Sequence, residues 1–194
     1  MNRKEYNSQE TKKHIFNTFL SLLKESSIEK ITVNALCSAA GIAKSTFYSY
    51  FEDKYSVLDG IENEMLGRLA DVNAHLEDVD INLVLNGSPL PQATETIDYI
   101  LANLEAFRII LGPHGDSRFE SRWRRNIADS FKNRFIKEKG DPKSADLACS
   151  IFASTLIGIY THFIFNDPEI SREDFALILG NTFKYAQQDF LPKK

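Results

Sequence analysis

A chain of 194 residues is long enough to bury a substantial core, either as one domain or as a small domain joined to a larger one. With 43% hydrophobic and 26% charged residues, 9 Gly, 6 Pro and 2 Cys, the composition excludes wholesale disorder, a collagen-like fibre and a disulfide scaffold. The formal net charge of −4 is unevenly spread, since residues 1–60 hold eight Lys or Arg against seven Asp or Glu and the acidic excess falls in the remainder.

The first thirteen residues are charged and polar with no apolar stretch behind them, so no secretory leader is expected. Helical spacing begins with a predicted helix over residues 9–25, on which Ile15, Phe16, Phe19, Leu20, Leu22 and Leu23 make an apolar stripe. Thr32 is a good N-cap for a short second helix with Val33, Leu36, Cys37 and Ala40 on one face. Gly41 ends it, because glycine takes positive φ and lets the chain turn into a third helix near Ala43. The cations Arg3, Lys4, Lys12, Lys13, Lys44 and Lys54 are expected near helix starts, where they would form a local basic face.

A longer helix is predicted over residues 53–75, with Leu58, Ile61, Met65, Leu69, Val72 and Leu76 on one side. Residues 77–91, containing Gly87, Ser88, Pro89 and Pro91, read as a connection whose internal structure the pattern does not specify. One helix is then predicted over 93–111 and broken by Gly112, Pro113, His114 and Gly115. The next carries Phe119, Trp123, Ile127, Phe131 and Phe135 every fourth residue until Gly140, Asp141 and Pro142. Two more follow, over 144–165 and 171–190. The most apolar stretch, 151–165, is interrupted by Ser154, Thr155, Thr161 and His162, so no membrane span and a cytoplasmic location are expected. The fold class is all-α with eight or nine helices: an N-terminal three-helix helix-turn-helix domain over 1–52 and a C-terminal helical bundle over 53–194.

Two short helices joined by a glycine turn form the helix-turn-helix plan, in which the second helix enters the DNA major groove. At 100° per residue, Ala43, Phe47 and Phe51 share the inner face, while Ser45, Tyr48 and Ser49 point outward with Lys44 and Tyr50 on the flanks. Hydroxyls, a phenol and a lysine suit base edges and phosphates. The run GIAKSTFYSYFEDKYSVL closely resembles the signature of tetracycline-repressor (TetR) family regulators, through Gly41, Ser45, Thr46, Phe47, Tyr48, Phe51, Lys54 and Leu58. The resemblance implies that Thr32 caps the second helix and meets a phosphate, that Lys44, Ser45 and Tyr48 approach bases, and that Lys54 reaches the DNA backbone. With Thr46, Ser49 and Tyr50 these form the candidate DNA face; at position 50 the family more often has His. The close resemblance covers residues 10–60, and a looser one around 103–119 is to a C-terminal type seen in Firmicutes members.

Nothing points to catalysis or to a cofactor. The four histidines, His14, His75, His114 and His162, lie on separate segments with no metal-binding spacing, no phosphate-binding glycine loop is present, and Cys37 and Cys149 read as buried thiols. Arg118, Arg122, Arg124 and Arg125 around Trp123 read first as a solvated helix face. The alternative makes Arg118 or Arg122, with Phe119 and Trp123, part of an effector pocket, to which Tyr99, Asn103, Phe107 and His162 are further candidates. The expected partners are double-stranded DNA carrying a palindromic operator, a second copy through the last two helices and an unidentified small-molecule effector. Ser150, Ser154 and Gly158, one turn apart, would allow the close helix approach of such a dimer. A ligand-independent coactivator, or an architectural or protein-interaction role, stays open on the sequence alone.

Overall fold

The computed structural model describes residues 3–74, 88, 91–139, 142–166 and 170–188 and, among them, nine helices and no strand. They are α1 Arg3–Glu25, α2 Val33–Ala40, α3 Lys44–Tyr48, α4 Lys54–Asn73, α5 Pro91–Ala102, α6 Leu104–Ile110, α7 Phe119–Lys139, α8 Pro142–Asn166 and α9 Arg172–Gln188. The expected connection over 77–91 lies outside the described residues apart from Ser88 and Pro91, as do His75, Leu76, Phe190 and the side chain of Phe135. Two helices differ from expectation. The first begins at Arg3, so Lys12 and Lys13 sit well inside it, and the Lys12 ammonium lies over the Phe16 ring, 5.1 Å from its centre. The single helix expected over 93–111 is two, divided at Asn103, whose side-chain amide donates to the Tyr99 carbonyl at 2.9 Å and competes with the helical backbone there.

The chain divides into two compact units, Met1–Met65 with Arg108–Ser117, and Leu66–Phe107 with Arg118–Lys194. This packing division falls within α4 rather than at residue 53. In the first unit Ile15, Phe16, Phe19 and Leu23 of α1, Leu36 of α2, Phe47 of α3 and Val57 of α4 are each 7% exposed or less. Each such side chain contributes roughly 1.5–3 kcal/mol of burial, so a handful of them holds three short helices that could not persist alone. Asp53 and Ser56 start α4 with a reciprocal cap: the Ser56 N–H donates to Asp53 Oδ1 at 2.8 Å and the Asp53 N–H to Ser56 Oγ at 3.2 Å. At Gly60 the helix runs so close to α1 that a Cβ there would lie 2.9 Å from Phe16 Cζ. After α6 the chain turns tightly, and a Cβ on Gly115 would fall 1.9 Å from the Ile110 carbonyl oxygen, so the expected break at 112–115 depends on glycine.

The second unit is built on α7 and α8. Phe119, Trp123, Ile127 and Phe131, at the expected four-residue spacing, are each 2% exposed or less. Trp123 stacks on Tyr160 of α8 (5.2 Å, 18°), Phe131 meets Phe152 edge-on (4.7 Å), and Phe163 lies against Phe175 of α9 (4.5 Å). Arg172 of α9 pairs with Asp98 of α5, and Asn126 Nδ2 donates to the Leu66 carbonyl at 3.1 Å. By length and composition alone α8 is apolar enough to cross a membrane, a test that the core helix of a globular domain also passes. Its Ser154, Thr155 and Thr161 donate to the carbonyls of Ser150, Ile151 and Ile157 at 2.8–3.0 Å, so they interrupt the apolar character little. In this fold α8 is the core helix of its unit, with Phe152, Leu156, Tyr160 and Phe163 buried. Both cysteines are buried and free, and burial pushes the Cys149 thiol up to about 11, with Asp146 adding to the shift.

Candidate nucleic-acid interface

Thr32 begins the motif in extended backbone (φ −109°, ψ 151°), and its hydroxyl accepts from the Ala35 N–H at 3.1 Å, meeting one of the donors that every helix start leaves open. After the 8 residues of α2, Gly41 adopts φ 62°, ψ 32°. The Ile42 N–H reaches back to the Cys37 carbonyl at 3.0 Å and the Gly41 N–H to Ser38 at 3.3 Å, a paired closure that fixes the angle at which α3 leaves α2. His14 Nε2 contacts the Ala40 carbonyl at 2.9 Å and holds the same corner against α1.

On α3 the periodicity sorts residues as expected except at one place. Phe47 is fully buried and Phe51 is 7% exposed, and their rings lie 5.9 Å apart. Ala43, expected to face inward, is exposed, because it is the extended residue before the helix and lies outside the helical phase. Lys44, Ser45 and Ser49 are exposed, Tyr48 is 57% exposed with its ring edge-on to Phe47 at 5.3 Å, and Thr46 and Tyr50 are partly buried on the flanks. The Ser49 hydroxyl donates to the Thr46 carbonyl at 2.7 Å, which leaves its oxygen free to accept. From Thr32 to Phe51 no carboxylate occurs, so nothing on this stretch repels phosphate. Asn34 and Ser38, exposed on α2, belong to the same polar surroundings; they were missed because attention to the apolar stripe passes over the opposite face.

Lys54 does not extend freely into solvent. Its ammonium donates to the carbonyls of Glu29 at 3.0 Å and Ile31 at 2.8 Å and lies 5.3 Å from the centre of the Tyr55 ring. The Glu29 carboxyl is held below its ordinary value, chiefly by its own backbone N–H, then by Ser27, with Lys54 adding a smaller attraction.

The eight effector candidates fall into different surroundings. Trp123 lines a small cavity of about 20 Å³ in the second unit, shared with Gln92, Thr96, Phe131, Phe152 and Tyr160. Tyr99, Phe107 and Phe119 sit behind it, with Phe107 5.5 Å from Trp123. Asn103 turns back onto its own helix, Arg118 is exposed and Arg122 partly buried. His162 lies elsewhere, on an open groove of about 360 Å³ between α8 and α9 with Thr155, Gly158, Ile159, Phe175 and Ile178. The polar groups of this small cavity were not expected from the sequence, although Thr96 repeats on the same face as Ala93 and Ile100, a signal of a hydroxyl directed inward. The buried Tyr160 phenol hydrogen-bonds with Thr96, and burial raises its pKa well above the ordinary tyrosine value. Gln92 Oε1 is buried and accepts no hydrogen bond from any described residue. Among the described residues, no group of three His, Cys, Asp or Glu could hold a metal.

Comparison with known proteins agrees with this geometry. A family profile described as bacterial regulatory proteins, tetR family, matches residues 15–61, and one described as a transcriptional regulator C-terminal region matches residues 87–185. The "Uncharacterized HTH-type transcriptional regulator YxbF" of Bacillus subtilis (strain 168) is 31% identical over an alignment of 67 residues that covers 32% of this chain and 18% of that protein. Among solved structures, a TetR transcriptional regulator from Streptococcus agalactiae 2603V is similar with a TM-score of 0.65 at 22% identity, over 95% of this chain and 98% of that one. A tetR-family regulator from Streptomyces coelicolor has a TM-score of 0.64 at 17% identity, over 92% and 80% of the two chains.

Proposed function

The chain belongs to the tetR family of DNA-binding transcriptional regulators, which are not enzymes, and from that premise we propose that it is a cytoplasmic, ligand-responsive repressor that binds a palindromic operator as a homodimer. Residues 1–52 would bind DNA and 53–194 would sense and dimerise. The observation that carries the DNA reading is the exposed face of Lys44, Ser45, Tyr48 and Ser49, set beside the capped start of α2 and free of carboxylates. Thr32 and Tyr50 would position the domain on phosphates, while Lys44, Ser45, Thr46 and Tyr48 read bases. Selection of bound duplexes from a random pool should return an inverted repeat whose half-sites lie about one or more DNA turns apart, at roughly 34–36 Å per turn. A single asymmetric site would rule out the two-fold arrangement.

The groove between α8 and α9 supports dimerisation. Leu147, Phe165, Leu177 and Ile178 are 39–54% exposed along these two helices, an apolar surface that a second copy would cover. Gly158 gives a clean probe, since a Cβ placed on it meets nothing within 4 Å in the chain itself. Gly158→Leu should therefore leave the melting of the protomer nearly unchanged while shifting sedimentation from a dimer toward the 22.1 kDa species. A wild-type chain that sediments as 22.1 kDa at micromolar concentration would remove the dimer from the proposal.

The small cavity beside Trp123 supports an effector reading with a defined chemistry. At about 20 Å³ it holds no more than a water, so an effector would have to open it. Among the described residues no charged side chain lines it, which favours an uncharged, largely apolar molecule that donates a hydrogen bond to Gln92 Oε1. Only a compound that binds the DNA-incompetent state better can release the operator. Such a compound should change the emission of Trp123, the chain's one tryptophan, together with DNA release. Release with no spectral or melting response would move control away from this cavity.

A further inference from the structure

The Lys54 ammonium has three N–H donors, and the structure directs two of them at main-chain carbonyls of a turn some twenty residues earlier: Glu29 at 3.0 Å and Ile31 at 2.8 Å. The turn is tight, with the Lys30 N–H on the Ser27 carbonyl and the Ile31 N–H on the Ile28 carbonyl. Ile31 immediately precedes Thr32, the cap of α2, and its own side chain is 3% exposed in the core. A cation beside a helix start opposes the helix dipole, so the arrangement is held by the carbonyls rather than by the helix. The Tyr55 ring covers another side of the ammonium.

We infer that Lys54 is a positioning residue: by bonding the Glu29 and Ile31 carbonyls it joins the first turn of α4 to the cap of α2, and so sets where the start of α2, and α3 after it, meet the DNA. The TetR-type resemblance instead gives this lysine a phosphate. The two roles predict different behaviour. A phosphate contact adds affinity for every sequence and contributes about 0.9 to the dependence of log affinity on log salt. A pin aligns the reading face, so its loss should weaken cognate DNA more than random DNA and leave the salt slope in place.

The test compares the full-length wild type with Lys54→Met, which keeps the stem and removes the donors, and Lys54→Arg, which restores donors. Binding to the selected operator and to random duplex is measured between 50 and 200 mM salt. For Lys54→Met the ratio of cognate to random affinity should fall by about tenfold, on the scale of a lost charged hydrogen bond, with an unchanged slope. Arginine should recover most of that ratio. Partial unfolding would lower both affinities together and leave the ratio untouched. A slope reduced by about one with an unchanged ratio would overturn the inference in favour of a phosphate contact, and full affinity in Lys54→Met would overturn both. The wild type supplies a measurement independent of variant folding. In ¹⁵N-lysine-labelled protein, the Lys54 ammonium protons should be protected from exchange in the absence of DNA and stay so in the complex. Protection that arises only with DNA would refute the pin.

Discussion

Phe47→Ala should destabilise the first unit by about 3–5 kcal/mol, whereas Tyr48→Ala, one residue away, should change stability by no more than about 0.5 kcal/mol and still impair operator binding. The contrast follows from one helical step. Phe47 is fully buried, with its ring 5.9 Å from Phe51 and 5.3 Å from Tyr48, so truncation leaves a void beside two aromatic side chains. Tyr48 is 57% exposed and loses mainly the group it presents to a partner. If its phenol contacts a base, Tyr48→Ala lowers cognate affinity by about 1–3 kcal/mol, roughly 5- to 150-fold, and random-sequence affinity by less. Tyr48→Phe isolates the hydroxyl, because it keeps the edge contact with Phe47. Denaturant titration separates the stability effects, and paired titrations of cognate and random duplex separate the binding effects. Equal losses on both duplexes for Tyr48→Phe would remove Tyr48 from the reading face.

What was legible in the sequence was what depends on near neighbours. Phe47 and Phe51 lie four residues apart and are both buried; Thr32 and Gly41 bracket α2 as a cap and a left-handed residue; the fourfold row from Phe119 to Phe131 is buried along its length. Local patterns misjudged the places where a side chain competes with its own backbone. Asn103 divides a helix that propensity alone would continue, and Ala43 lies just outside the phase that it was assigned to. The first helix was also expected to start at residue 9, although α1 extends back to Arg3. Contacts between distant segments left no trace in periodicity. The donation of Lys54 to Glu29 and Ile31, and the meeting of Gln92, Thr96, Trp123 and Tyr160 around one cavity, exist only once helices separated by tens of residues are packed. A resemblance can name a lysine as important, yet which oxygen it holds is a matter of three-dimensional placement.

Trp123→Ala should have a comparably large effect in the second unit, about 3–5 kcal/mol, and its chemical rescue bears on the kind of effector that the cavity takes. The indole is 1% exposed, stacks on Tyr160 at 5.2 Å and 18°, and meets Phe107 at 5.5 Å and Phe119 at 6.3 Å. Removing it would join its own volume to the adjacent cavity of about 20 Å³, leaving a largely apolar chamber that the surrounding aromatic side chains cannot fully collapse. Free indole fits that space and brings an N–H donor, so it should raise the melting temperature of the variant. At a concentration a hundredfold above its dissociation constant the stabilisation would be about 2.7 kcal/mol. Indole-2-carboxylate has a similar ring but carries a charge, and among the described residues no charged side chain lines the cavity to receive it. It should therefore give much less rescue. Equal rescue by the two compounds would contradict the uncharged chemistry proposed for the effector. A variant as stable as the wild type would show that the stacked ring adds little to the core, and the cavity around it would then lose its claim as the place where a ligand couples to the fold.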